Sequence, residues 1–361
     1  MTALGALIPY LAIPLSVLFL ALVLVITYLS IKYTPEIVRK FELQPLFVPL
    51  RIGPLEMGEP VNFRSLDGIR LSGRYLRART AKRVGVLVYC HEYLSDCWSF
   101  HPYVDYLRDL GYDIFAFDFR NHGTSARDPS YHPLQWTSDR EVADLRAALQ
   151  YLRARPDHDS AGFGLFGVSR GGTTALIAAV DEPDVWGIIT DGAFPTRLTM
   201  VTYIIRWSEI YVRSPLLLSV VPMWLYNLLA RVGRRRSERR HNCCFLEVET
   251  AVRRLGLRPW LMIHGERDAY IGPDIARALF DCGRGPKELW LVPEAKHNRC
   301  REREPEAYTA RILDFLDRIG PRRLNPIPPR QAIERVDLGS EFADSLASAQ
   351  LVRQVASPIT S

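Results

Sequence analysis

Residues 3–31 carry no charged side chain and are dominated by Leu, Ile, Val, Ala and Phe. A helix needs about 20 apolar residues to cross a bilayer, so this run can span one with some tilt. Pro9 and Pro14 are expected to bend its early part, leaving 15–29 as the cleanest helical stretch. A cleaved signal peptide is the other reading. No Lys or Arg precedes the run, its length exceeds that of a leader, and 30–33 offers no small-x-small cleavage site. A retained anchor is favoured. Lys32, Arg39 and Lys40 follow the run and nothing basic precedes it, which places the bulk of the chain on the cytoplasmic side.

Residues 32–60 are proline-rich with mixed charge and read as a juxtamembrane connector. Alternating apolar positions at 61–65 and 69–76 then flank Leu66-Asp67-Gly68, the pattern of a β-hairpin. Beyond it the period changes. Short apolar strands at 84–90, 114–118, 162–166, 187–190, 260–264 and 289–292 alternate with helix-like stretches such as 100–110, 138–153 and 171–180. Buried strands separated by helices imply an α/β domain: a mostly parallel sheet with helices on both faces.

Residues 195–250 interrupt this alternation with an apolar stretch at 214–230 and then Arg234, Arg235, Arg236, Arg239 and Arg240. An insertion there is expected above the carboxyl ends of the strands, as a helical cap. After Gly320 the chain becomes Pro/Arg-rich and then polar. The expected organisation is an anchor at 1–31, the connector at 32–60, the α/β domain at 61–320 with its cap at 195–250, and a tail at 321–361 with a short helix over 331–355.

Composition narrows the chemistry only a little. The net charge of +6 is modest and much of it sits in the arginine run, so charge alone names no partner. The six cysteines are scattered without zinc-site spacing and fit reduced thiols in a cytosol-like compartment. No His-Glu-x-x-His or P-loop pattern occurs, and no metal or nucleotide cofactor is assigned.

The sharpest local signal is Gly167-Val168-Ser169-Arg170-Gly171-Gly172, between a strand and a helix. A serine in a strained strand–turn–helix projects its hydroxyl above the sheet, and small neighbours let strand and helix approach. In this context the chain resembles the α/β-hydrolase superfamily, in its esterase, lipase and thioesterase branches. Asp118-Phe119-Arg120-Asn121-His122-Gly123-Thr124-Ser125 is similar to that superfamily's Asp-x-Arg-Gly-His-Gly-x-Ser turn, with Asn121 in place of glycine. The resemblance implies that Asp118 and His122 are scaffold. It also implies the chain order nucleophile, acid, base. His264-Gly265-Glu266-Arg267-Asp268 resembles the loop that supplies the acid, giving Asp268, and Pro293-Glu294-Ala295-Lys296-His297 matches the base position, giving His297. Asp191, at the end of an earlier strand, is the alternative acid.

One oxyanion donor is expected from the backbone N–H of Arg170. The second is expected from Tyr93 in the turn His91-Glu92-Tyr93-Leu94-Ser95-Asp96, where Glu92 replaces the superfamily's glycine. An epoxide or haloalkane hydrolase would need aspartate at the elbow, where this chain has Ser169.

The resemblance therefore implies a serine hydrolase acting on a carboxylic ester or thioester, with lipid or acylated substrates suggested by the anchor. A serine aminopeptidase acting on amides and a non-catalytic binding module on the same fold are the other readings. Membrane lipids are the expected partners of the apolar helix and of the basic cap segment, and nucleic acid is not expected.

Overall fold

The computed structural model describes residues 3–43, 49–55 and 57–322. Beyond Arg322, the expected tail and its helix over 331–355 lie outside the described residues. In chain order the helices are α1 (Ala3–Glu42), α2 (Phe100–Val104), α3 (Asp139–Arg153), α4 (Arg170–Ala178), α5 (Thr196–Tyr211), α6 (Pro215–Ser219), α7 (Met223–His241), α8 (Val248–Arg253), α9 (Pro273–Cys282), α10 (Cys300–Arg303) and α11 (Pro305–Ile319). The chain divides into two compact units. One joins α1 to Met200–Asn242; the other holds the remaining described residues.

The second unit is built on eight strands: β1 (Glu59–Arg64), β2 (Arg70–Leu76), β3 (Gly85–Cys90), β4 (Tyr112–Phe117), β5 (Phe163–Val168), β6 (Val185–Asp191), β7 (Trp260–Gly265) and β8 (Lys287–Val292). Their order is β1-β2-β4-β3-β5-β6-β7-β8. β1 and β2 form the expected antiparallel hairpin, closed at Arg64↔Arg70, and β2 is antiparallel to β4. From β4 onward every pairing is parallel. Side chains of a strand alternate between faces. Val86, Val88 and Cys90 of β3 accordingly enter one core, Leu87 and Tyr89 the other. Each face must then be covered by helices, since a large apolar side chain contributes roughly 1.5–3 kcal/mol when buried.

α3 shows how local signals place a helix. Ser138 accepts from the Arg140 N–H, and Glu141 Oε2 accepts from the Ser138 N–H at 2.9 Å, a capping box worth about 1 kcal/mol. Behind it, Arg120 is fully buried among Asp144, Asp67 and Asp128, which ties the turn after β4 to α3 and to the β1–β2 turn. All six cysteines are free.

The other unit departs from expectation along α1. α1 runs unbroken from Ala3 through Pro9, Pro14 and Pro35 to Glu42, so the connector's first eleven residues, 32–42, are helical. Of these, Thr34, Ile37, Val38 and Phe41 are buried. α1 meets α7 closely: a Cβ on Gly233 would lie 2.5 Å from Ile37 Cγ2. The apolar stretch 214–230 forms α6 and the start of α7. The arginine run is the last part of α7. There Arg234 bonds Glu238 at 2.8 Å, one turn away, and Arg240 reaches Glu42 at 2.9 Å.

Candidate active site

The elbow between β5 and α4 is as tight as its glycines suggest. A Cβ on Gly167 would meet the Gly171 carbonyl oxygen at 2.5 Å, and one on Gly171 would meet the Cys90 carbonyl oxygen at 2.1 Å. Larger residues would therefore force strand and helix apart. Ser169 itself has φ +49° and ψ −117°, a conformation costing a non-glycine residue about 1–3 kcal/mol. Its N–H donates to the Asp191 carbonyl at 2.7 Å, which holds the turn against the end of β6.

The strained turn aims the hydroxyl at a histidine. Ser169 Oγ lies 2.9 Å from His297 Nε2, and His297 Nδ1 lies 2.6 Å from Asp268 Oδ2. All three residues are buried. Asp268 follows β7 and His297 follows β8, so the adjacent strands bring together residues far apart in sequence. The loop around Asp268 orients it: Oδ1 accepts the N–H groups of Tyr270 at 2.8 Å and Ile271 at 2.9 Å. Burial alone would raise the Asp268 pKa, but the charge and hydrogen bond of His297, with His264 and the Ile271 N–H, hold it below the usual value.

The alternative acid is differently engaged. Asp191 Oδ2 accepts from Tyr308 Oη at 3.0 Å, and burial pushes its pKa up to about 6. The structure thus brings Ser169, His297 and Asp268 together in one hydrogen-bonded chain and pairs Asp191 with Tyr308.

Two supporting residues escaped sequence reasoning. His264 Nε2 lies 2.9 Å from the Ile271 carbonyl, an acceptor only, so this nitrogen carries the proton; it also lies 3.3 Å from Asp268 Oδ2. Burial lowers the His264 pKa, so it serves as a neutral donor. Its position four residues before Asp268, closing a strand, was the available signal. Tyr270 is the other, with its ring centroid 5.7 Å from that of His297 and its hydroxyl bonded to Gln135 at 2.9 Å.

The turn after β3 sits beside the elbow, because Cys90 of β3 pairs with Gly167 of β5. Tyr93 and Arg170, whose N–H groups were the expected oxyanion donors, belong to these two neighbouring turns. The side chain of Arg170 is buried and structural: it bonds the Leu134 carbonyl at 2.9 Å and His122 Nε2 at 3.1 Å, and lies over the Tyr93 ring. The turn after β4 is scaffold as well. Asp118 accepts the N–H groups of Cys97 and Thr124, both at 2.7 Å. Asn121 can replace glycine because Asn tolerates its φ of +63°, and its amide bonds the Tyr131 carbonyl at 2.6 Å. His91 Nε2 accepts from the Phe119 N–H at 3.1 Å, joining the turns after β3 and β4.

Glu92, whose role the sequence left open, is fully buried. Its Oε1 accepts from the Leu50 N–H at 3.0 Å, and the next turn residue in reach, Ser95, donates to the Leu50 carbonyl at 2.5 Å. The connector is thereby clipped at Leu50 to the turn that carries Tyr93. Burial raises the Glu92 pKa from 4.5 to about 7. Between these values the folded state keeps a proton that the unfolded state releases, so this group's contribution to stability declines as pH rises through that window. Glu92→Gln is expected to lose that decline, with the stability difference from wild type changing by at most about 1.4 kcal/mol per pH unit. Urea melts across the window check it; parallel pH profiles for the two proteins would rule it out.

Comparison with known proteins bears on the fold. Residues 81–243 match the family described as serine aminopeptidase, S33. The chain is 24% identical to YfhR of Escherichia coli over 269 residues, 72% of this chain and 80% of that protein. It is 29% identical to Rv2307c of Mycobacterium tuberculosis over 269 residues, 74% of this chain and 80% of that protein. Among solved structures it is similar to the esterase Pf2001 of Pyrococcus furiosus, with TM-score 0.56 and 21% identity over 75% of this chain and 96% of that one. The chain has the α/β-hydrolase fold of that structure. In this fold the elbow, the turn after β7 and the turn after β8 stand in the chain order nucleophile, acid, base.

Proposed function

We propose that the hydrolase cleaves a carboxylic ester or thioester through an acyl-enzyme on Ser169. The observation that carries this reading is the hydrogen-bonded chain from Ser169 Oγ through His297 to Asp268 on a strained elbow. His297 Nε2 takes the hydroxyl proton as Ser169 Oγ attacks the carbonyl carbon. Asp268 holds the imidazole with its proton on Nδ1, leaving Nε2 free to accept, and stabilises the imidazolium that forms. The backbone N–H groups of Arg170 and Tyr93 receive the developing oxyanion, each worth about 3–4 kcal/mol. Collapse expels the alcohol or thiol, protonated by His297. Water then attacks the acyl-enzyme with His297 again as base.

A second reading is amide cleavage, favoured by the family match over residues 81–243. The experiment is labelling by a fluorophosphonate probe followed by matched ester, thioester and aminoacyl-amide substrates with one acyl group. Labelling with preferred ester or thioester turnover supports the proposal, and preferred amide turnover replaces it with the second reading. No labelling and no turnover would leave a binding module.

α1 is one helix long and apolar enough to cross a membrane, and its side chains from Pro14 to Ser30 are almost all exposed. We propose that it anchors the hydrolase, with Lys32, Arg39 and Lys40 setting the remainder on the cytoplasmic side. Lipid or acylated substrates suit that location. Deletion of residues 1–31 spares the buried Thr34, Ile37 and Phe41. It is expected to move the protein from the membrane pellet to the supernatant with turnover of a soluble acetyl ester retained. A full-length chain that fractionates as soluble would refute the anchor.

A further inference from the structure

The helical unit contains a cavity of about 350 Å³, within the range that small ligands occupy. Its walls come from the second half of α1 and from α5, α6 and α7. Ile37 and Phe41 of α1, Ile204 and Trp207 of α5, and Leu225 and Leu229 of α7 make it apolar on opposite sides. Its charged lining residues are Lys40, whose ammonium lies 3.4 Å from the centroid of the Trp207 ring, and Glu36, which is paired with Arg39.

Two features of the surrounding surface indicate what fills such a space. First, α1 leads from the cavity directly into exposed apolar side chains: Leu29 lines the cavity, while Tyr28 beside it and Leu24 and Val25 about one turn earlier are exposed. Second, the opposite wall is also apolar on its outer surface. Leu216 is 76% exposed and Val220 72% exposed, with Leu217, Met223 and Trp224 beside them. A soluble ligand would enter across polar margins. Here the cavity lies between two surfaces that both require hydrocarbon cover, and the Lys40 ammonium in its lining offers a partner for an anionic head group.

We propose that this cavity holds one acyl chain of a bilayer phospholipid, with the phosphate paired to Lys40, as a bound lipid distinct from any substrate hydrolysed at Ser169. The proposal rests on the anchor reading of α1. The α6 turn and the first turn of α7 then lie at the membrane interface, their exposed leucines, Val220, Met223 and Trp224 among the acyl chains. Lipid enters along the interface without crossing water.

The test uses the full chain in phosphatidylglycerol vesicles that carry a trace of phosphatidylglycerol with a diazirine on one acyl chain. After irradiation, adducts are expected on the α5 peptide containing Ile204 and Trp207 and on the α7 peptide containing Leu225, as well as on residues 15–29 of α1. Ile204→Trp fills the cavity and should lower adducts at Trp207 and Leu225 about tenfold while those on residues 15–29 persist. Lys40→Gln should lower them for phosphatidylglycerol while leaving the cavity open. Far-UV circular dichroism and melting of each variant report whether the helical unit is intact. Because Ile204→Trp could overpack it, Leu225→Phe serves as a second filling variant. Span adducts without cavity adducts would overturn the proposal and leave the anchor standing. Cavity adducts unchanged by either filling variant would show surface docking only and also overturn it. Absence of adducts on the span would overturn the anchor and this proposal together.

Discussion

Replacing Ser169 by alanine is expected to lower turnover of any accepted ester by roughly 10⁴- to 10⁶-fold and to abolish fluorophosphonate labelling. The missing oxygen is the one placed 2.9 Å from His297 Nε2, and the elbow offers no substitute nucleophile within the same hydrogen bond. His297→Ala should cost a similar factor, since a hydroxyl without its base is a poor nucleophile at neutral pH. The double variant should be no slower than the worse single one, because each residue works only through the other. Folding should be little affected: the loss of one side-chain hydrogen bond costs about 1 kcal/mol, and Ser169→Ala leaves the N–H bond to Asp191 in place. Single-turnover kinetics of the three variants on one activated ester decide the matter. Losses that multiply in the double variant would break the proposed pairing.

Asp268→Asn is expected to reduce turnover by about 10⁴-fold, and the reason is a tautomer. The carboxylate's Oδ1 is fixed by the Tyr270 and Ile271 N–H groups, so an asparagine must turn its carbonyl oxygen toward them. Its amide nitrogen then faces His297 Nδ1 and, being a donor, requires that nitrogen to be unprotonated. The proton is displaced to Nε2, which can no longer accept from Ser169. Asp191→Asn should be far milder, since an amide can still accept from Tyr308. Steady-state kinetics of both variants provide the comparison. Should Asp191→Asn prove the more damaging, Asp191 takes over the acid's role.

Most of the sheet was legible because buried strands and their flanking turns have strong local signatures. Each expected strand appears within two residues of its place, as with β7, expected over 260–264 and observed as Trp260–Gly265. The Ser169, Asp268 and His297 constellation was legible for a different reason: the elbow around Ser169 and the loops after two later strands resemble those of the superfamily, and that resemblance supplied the acid and the base. What sequence reasoning missed depends on tertiary partners. Lys32, Glu36, Arg39 and Lys40, together with Pro35, made residues 32–42 read as part of a proline-rich connector of mixed charge. The pattern Thr34, Ile37, Val38, Phe41 was nevertheless helical, and those are the residues buried in that stretch. Glu92 could not be interpreted from its own neighbourhood because its partner is Leu50, 42 residues earlier. The division of the cap between α6 and α7 turns on Pro222, the residue that precedes the first turn of α7.

The uninterrupted course of α1 also makes it a ruler. On the anchor reading, a rise of 1.5 Å per residue sets Glu42 about 16 Å beyond Ile31 along the helix axis. No loop lies between to absorb a change in length. Each residue added or removed near position 31 would therefore shift the height of the attached α7 by about 1.5 Å and rotate its bearing by about 100°. A deletion of seven residues would restore the bearing nearly unchanged while lowering the assembly by about 10 Å, so stand-off and orientation can be varied almost independently. On that reading, the distance of α7 from the bilayer is encoded in the count of residues in one helix.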